Sequence, residues 1–99
     1  MTRERDIEDY LVERVKALGG EVRKVKWIGR HSAPDRLVML PPTPLGEGIR
    51  LPGKTLWVEL KAPGEKAKPH QVREHERMRK MGQRVVIVDS FEGVDEVLS

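Results

Sequence analysis

The chain reads as a single α/β domain with a mixed β-sheet flanked by helices. Three observations predict this. Apolar residues recur at helical spacing near both ends of the chain. Alternating or continuous apolar runs of strand length lie between them. Glycine and proline clusters separate the segments. With 99 residues, one small domain is expected.

Residues 3–18 carry Ile7, Leu11, Val15 and Leu18 at helical spacing, and the glycines at 19 and 20 supply the stop. Residues 21–28 predict a strand, because Val25 and Trp27 alternate with Lys24 and Lys26. A turn, "GRHSAP", follows. Residues 35–40 and 55–61 predict two further strands. The segment "PPTPLGEGIRLPG" between them holds four prolines and three glycines and predicts a long hairpin loop without regular structure. After a second loop, "KAPGEKAK", Pro69 suits the first turn of a helix running to residue 81. Val72, His75, Met78 and Met81 are expected on its inner side, and its arginines and glutamates on a solvated face. "RVVIVD", residues 84–89, predicts a continuous apolar strand of the buried type. Ser90 is placed to cap a short last helix. The final strand-helix-strand unit should be parallel, and the hairpin before it antiparallel, so the sheet is mixed.

Composition narrows the function classes. Apolar residues make up 37% and charged residues 35%, which allows one modest core under a heavily charged surface. The net charge is +3, a mild excess whose distribution matters more than its total. The absence of cysteine excludes disulfide and thiol chemistry. The histidines His31, His70 and His75 lack zinc-ligand spacing, and no phosphate-cradling glycine loop is present. No apolar run approaches a membrane span, and the charged N-terminus is unlike a signal peptide. A cytoplasmic protein of prokaryotic or phage type is expected.

The chemistry-bearing residues sit where a plain solvated charge is unexpected. In "LWVELK", residues 56–61, Glu59 and Lys61 emerge on one face of a mostly apolar strand. Asp35 follows Pro34 at the start of another strand. A Glu-x-Lys pair on a strand is most often a solvated face or a cross-strand ion pair. Two carboxylates meeting across neighbouring strands instead make a hard oxygen site of the kind magnesium takes. On the first helix, Glu8 falls within the apolar arc at about 100° per residue, so it needs a partner, with Arg5 and Arg14 the nearest. Basic residues gather before Asp35 (Arg23, Lys24, Lys26, Arg30, His31) and after Lys61 (Lys66, Lys68, His70). If the two groups meet, phosphates would be drawn to that rim. Arg36 could bind phosphate or balance the carboxylates.

"PD" at 34–35 and "ELK" at 59–61, in αβββαβ order, resemble the PD-(D/E)XK nuclease superfamily. Glu8, the "GG" after the first helix, "APDRLVM", "VELKAPGEKAKPHQ" and "GQRVVIVDS" resemble its VRR-NUC (virus-type replication-repair nuclease) domain over nearly the whole chain. The resemblance implies a Mg2+ or Mn2+ ion held by Asp35, Glu59 and the main-chain carbonyl of Leu60, with Glu8 contributing through water. It implies Lys61 as the lysine that orients the attacking water, and Gln71 as a residue positioning Lys61 or the phosphate. Related nucleases often carry Tyr four residues after that Gln. Here the place is His75, either a DNA contact in its stead or a helix-face histidine. Lys24, Lys26, Arg30, His31, Arg36 and Lys68 are the other expected DNA contacts. The implied activity is an endodeoxyribonuclease acting on branched DNA, four-way junctions above all, as a homodimer. Leu45, Ile49, Leu51, Val94, Val97 and Leu98 are the exposed apolar candidates for its interface. The competing readings are a non-catalytic DNA-binding or assembly module of the same fold, and a monomeric nicking or flap-cutting nuclease targeted by a partner.

Overall fold

The computed structural model describes residues 1–99. In chain order the elements are α1 (Glu4–Ala17), β1 (Glu21–Lys24), β2 (Arg36–Leu40), β3 (Thr43–Gly46), β4 (Ile49–Leu51), β5 (Lys54–Leu60), α2 (Pro69–Lys80), β6 (Val85–Val88) and α3 (Phe91–Leu98). The main sheet has strand order β1-β2-β5-β6. β1 pairs with β2 and β2 with β5 antiparallel, whereas β5 pairs with β6 in parallel. The mixed sheet between helices is therefore as the sequence predicts.

Alternation along β5 divides the molecule into two sides. Leu56, Val58 and Leu60 are buried, whereas Trp57 and Glu59 are partly exposed. The three apolar residues join Ile7, Leu11 and Val15 of α1, Val94 and Leu98 of α3, Val38 and Val88 in one core. Each such side chain contributes roughly 1.5–3 kcal/mol through removal from water. Tyr10 and Arg14 of α1 both reach Asp95 of α3, at 2.9 and 3.1 Å, and Tyr10 packs edge-on against Phe91. Asp6 accepts a hydrogen bond from the backbone N–H of Arg3 at 2.7 Å and so satisfies one free donor at the start of α1. Ser90 caps α3 as expected, accepting from the Gly93 N–H at 2.9 Å.

Several expectations are corrected. β1 ends at Lys24 rather than at residue 28. Val25 still donates to the Asp35 carbonyl, but the Trp27 indole N–H turns to the Pro34 carbonyl at 2.8 Å. The proline-rich segment is not irregular: β3 and β4 form a separate two-stranded hairpin. Glu47 and Gly48 turn it at positive φ (53° and 77°), and Pro44 is accepted because this ribbon has free edges. Leu18 is exposed at the end of α1 rather than inward. β6 lies at a sheet edge, so Ile87 is exposed and the strand is only half buried. Val94 and Leu98 are core residues and cannot serve a dimer interface. On α2, Val72 and Met81 face solvent, while Glu74, His75 and Met78 face inward. The reason is that α2 lies on the Trp57–Glu59 side of the sheet, so it meets polar groups rather than the core.

Candidate active site

The register places the acids. Arg36 pairs with Val58 in the antiparallel β2–β5 ladder. One further step puts Asp35, just before β2, opposite Glu59. Asp35 is largely exposed, whereas the Glu59 side chain is 14% exposed. Burial, opposed by Lys61 and reinforced by the charge of Asp35, pushes the Glu59 carboxyl up to about 7. Such a carboxyl is short of positive charge.

Lys61 follows β5 directly and is held from two directions. Its backbone N–H donates to the Val88 carbonyl at 3.0 Å. Its ammonium donates to Gln71 Oε1 at 2.9 Å and stands 4.0 Å from Glu59 and 3.8 Å from Glu65. The same Gln71 oxygen accepts the Lys68 backbone N–H at 2.9 Å. Gln71 thus satisfies a free donor at the start of α2 while fixing the lysine. The lysine keeps two more N–H donors for a water or a phosphate oxygen.

His75 takes the second of its two expected roles, an inward helix-face histidine, and not that of a DNA contact. It is 1% exposed, and both ring nitrogens lack a hydrogen-bond partner. Nε2 stands 3.6 Å from Glu59 Oε1, too far for a good hydrogen bond. Burial lowers the imidazole's affinity for a proton, so the ring packs neutral beneath Glu59. A ring with no accessible surface cannot touch a nucleic acid.

On the other side of the sheet, Glu8 finds neither Arg5 nor Arg14. It pairs with Arg36 at 2.5 Å, and Arg36 also reaches Asp35 Oδ1 at 2.8 Å. The guanidinium therefore balances two of the acids, the second of the two roles considered for it. It is 13% exposed, which leaves little of it for DNA. Among the other basic residues, Lys24, Lys26, Arg30, His31 and Lys68 are exposed. Arg30 is engaged with the buried Glu74, which also accepts two hydrogen bonds from Arg77. The Arg30 hydrogen bond, with that of Arg77, holds the Glu74 carboxyl below the usual range. Glu74 was expected on a solvated face. Nothing in the helical charge pattern distinguishes it from Glu76, and only the position of Arg30 on a distant loop explains its burial.

No three Asp, Glu or His side chains converge on a point that could hold a metal by side chains alone. Asp35, Glu59 and the Leu60 carbonyl are hard oxygen donors of the type that magnesium, with water completing its shell, accepts. The raised Glu59 carboxyl fits this set, since a dication would supply the missing charge.

No protein-family model matches the chain. It is 43% identical over 90 residues to "Putative nuclease p44" of Acyrthosiphon pisum secondary endosymbiont phage 1, covering 91% of this chain and 86% of that protein. A solved structure described as "VRR_NUC domain" superposes with a TM-score of 0.76 at 43% identity, covering 99% of this chain and 96% of the other.

Proposed function

The chain belongs to the VRR-NUC family, and from that premise we propose that it is a divalent-metal-dependent endodeoxyribonuclease. Asp35, Glu59 and the Leu60 carbonyl would hold Mg2+ or Mn2+, and Glu8, now paired with Arg36, would contribute through water. The observation that carries this reading is the placement of Asp35 opposite Glu59, with Lys61 fixed beside them by Gln71. When bound, the metal polarises the scissile phosphate and lowers the pKa of nearby water. Lys61 orients the attacking water or stabilises charge on the phosphate oxygens. Gln71 keeps the ammonium in place. Glu59 gives up its proton when it takes its role as ligand, and the neutral His75 beneath it adds no competing charge.

The substrate proposed is branched DNA, four-way junctions above all, cut by a homodimer. Two-fold pairing is the commonest symmetry of soluble oligomers and would supply two identical sites for paired cuts. The exposed Leu45, Ile49 and Leu51 on the β3–β4 hairpin support such an interface.

The test is a cleavage panel of single strands, duplexes, flaps and four-way junctions with each metal. Cutting is expected with both ions and fastest on junctions. Lys61→Ala should lose cleavage while binding metal with near-normal affinity by calorimetry, because the ligands are carboxylates and a carbonyl. Salt-dependent DNA binding without cutting under any condition would favour a binding module instead. Faster cutting of flaps or plain duplex than of junctions would remove the junction assignment alone.

A further inference from the structure

Both tryptophans of the chain lie beside the site, and neither has a part in the chemistry above. Trp57 precedes Glu59 by two residues on the same face of β5, a separation of roughly 7 Å along a strand. Trp27 packs on it with ring centroids 5.1 Å apart and planes inclined by 46°. Both indole N–H groups are already bonded, Trp57 to Gln83 Oε1 at 3.0 Å and Trp27 to the Pro34 carbonyl. The rings are therefore held by polar anchors while part of each stays open to solvent. They line an open hollow of about 340 Å3 with Met81, Gln83, Arg30 and Arg77. That volume lies at the lower end of the range of ligand pockets, ~300–1,000 Å3.

A second hollow, of about 290 Å3, adjoins it and contains no apolar lining residue. Its cationic wall is Arg30, Arg73 and Arg77, with His31 and His70 beside them. Arg30, Glu74 and Arg77 line both hollows. The single carboxylate there, Glu74, is buried and saturated by the two arginines it aligns. The loop carrying Arg30 and His31 holds Ser32 at φ 74°, a conformation costly for a residue other than glycine, and its hydroxyl meets His70 Nδ1 at 2.5 Å. An aromatic platform next to a basic hollow matches the two halves of a nucleotide: a base with a π-face and a phosphate with negative charge.

The geometry points to a subsite for one unpaired nucleotide of a DNA strand, its base against Trp27 and Trp57 and its phosphate among Arg30, Arg73 and Arg77. This rests on the nuclease reading for the strand's identity. It adds that the enzyme grips an unstacked base beside the cut, so that duplex ends, flaps and junction centres, where bases open readily, are favoured over closed duplex.

The test uses intrinsic fluorescence of the intact chain in chelator-containing buffer, where nothing is cut. The probes are a thymidine strand of about ten nucleotides, within the span of single-strand sites, and the same strand with abasic residues. The thymidine strand should quench the tryptophans and bind about 5- to 160-fold more tightly than the abasic strand, the range expected for stacking one base. Trp57→Leu should remove that preference and Trp57→Phe largely retain it. Arg73→Gln should lower the slope of log affinity against log salt by roughly 0.7 for both probes. Equal affinity for the two strands, or no quenching, overturns the subsite. That comparison needs no variant, so a misfolded Trp57→Leu leaves it decisive. Cleavage of a flap substrate in Mg2+ or Mn2+ is measured in parallel. Cutting with base-independent binding removes the subsite alone, and base-dependent binding without cutting removes the nuclease reading alone.

Discussion

Glu59 shows how one partly buried carboxyl couples folding to pH and to the proposed chemistry. In the metal-free protein its carboxyl rises from 4.5 to about 7, with burial the largest cause. Between those values the folded chain holds a proton that the unfolded chain has released. Its contribution to stability is therefore full below about 4.5 and lost as pH rises to about 7. Glu59→Gln keeps the neutral shape at every pH. The variant should equal the wild type near pH 4.5 and exceed it at pH 8 by about 1–3 kcal/mol in metal-free urea denaturation. His75 pulls the other way, since burial disfavours its charged form and costs stability in acid. The difference between variant and wild type cancels that effect. An equal difference at both pH values would show that charge is not the cause. If Glu59 is a metal ligand as proposed, the same proton must leave on binding. Magnesium affinity should accordingly rise as pH increases through 7, with proton release seen as a buffer-dependent heat in calorimetry.

At the scale of elements, α1 and β2 meet at Gly20. A Cβ there would lie 2.3 Å from the Met39 carbonyl oxygen, 3.0 Å from Val15 and 3.1 Å from Leu40. The first of these is backbone and cannot swing away. Gly20→Ala should cost about 2–4 kcal/mol by chemical denaturation. Gly29 offers the contrast: its φ is 76° but nothing stands within 4 Å, so Gly29→Ala should cost only about 1 kcal/mol. Comparable losses at the two positions would contradict the close approach. The "GG" at 19–20 reads in the sequence only as a helix stop. Its second glycine is needed for a contact with a strand about twenty residues onward, which no local pattern records.

For the whole molecule, shape bears on assembly. The radius of gyration is 14.3 Å, above the ~13 Å of a compact domain of this length. The β3–β4 hairpin extends the molecule, since its main packing is of its two strands on each other. Leu45, Ile49 and Leu51 are each about half exposed on it. If this arm makes the proposed dimer, sedimentation at micromolar concentration gives a mass near twice 11.3 kDa. Ile49→Lys combined with Leu45→Lys should then return the monomer without lowering thermal stability of the isolated domain. A wild-type monomer, or a dimer indifferent to both changes, would exclude the arm.

The order of the helices and main-sheet strands, the mixed sheet and the odd position of Glu59 and Lys61 were legible in the chain itself, but the β3–β4 hairpin was not. Period, breakers and alternation are local properties, and they act within a few residues. The tertiary structure alone decided the partnerships. Arg36 rather than Arg5 or Arg14 meets Glu8, Arg30 meets Glu74 across 44 positions, and His75, inward as its spacing predicts, finds Glu59 as its neighbour. Each depends on which face of α2 or α1 lies on which side of the sheet. The same distinction sends Val94 and Leu98 into the core and leaves the proline-rich arm outside it. Helical spacing marks where an apolar stripe lies, but α2 rests on a polar surface, and there the spacing is right for His75 and Met78 and wrong for Val72, Met81 and Glu74. A side chain's surroundings are set by chain segments distant in sequence, and those come together only when the sheet has formed.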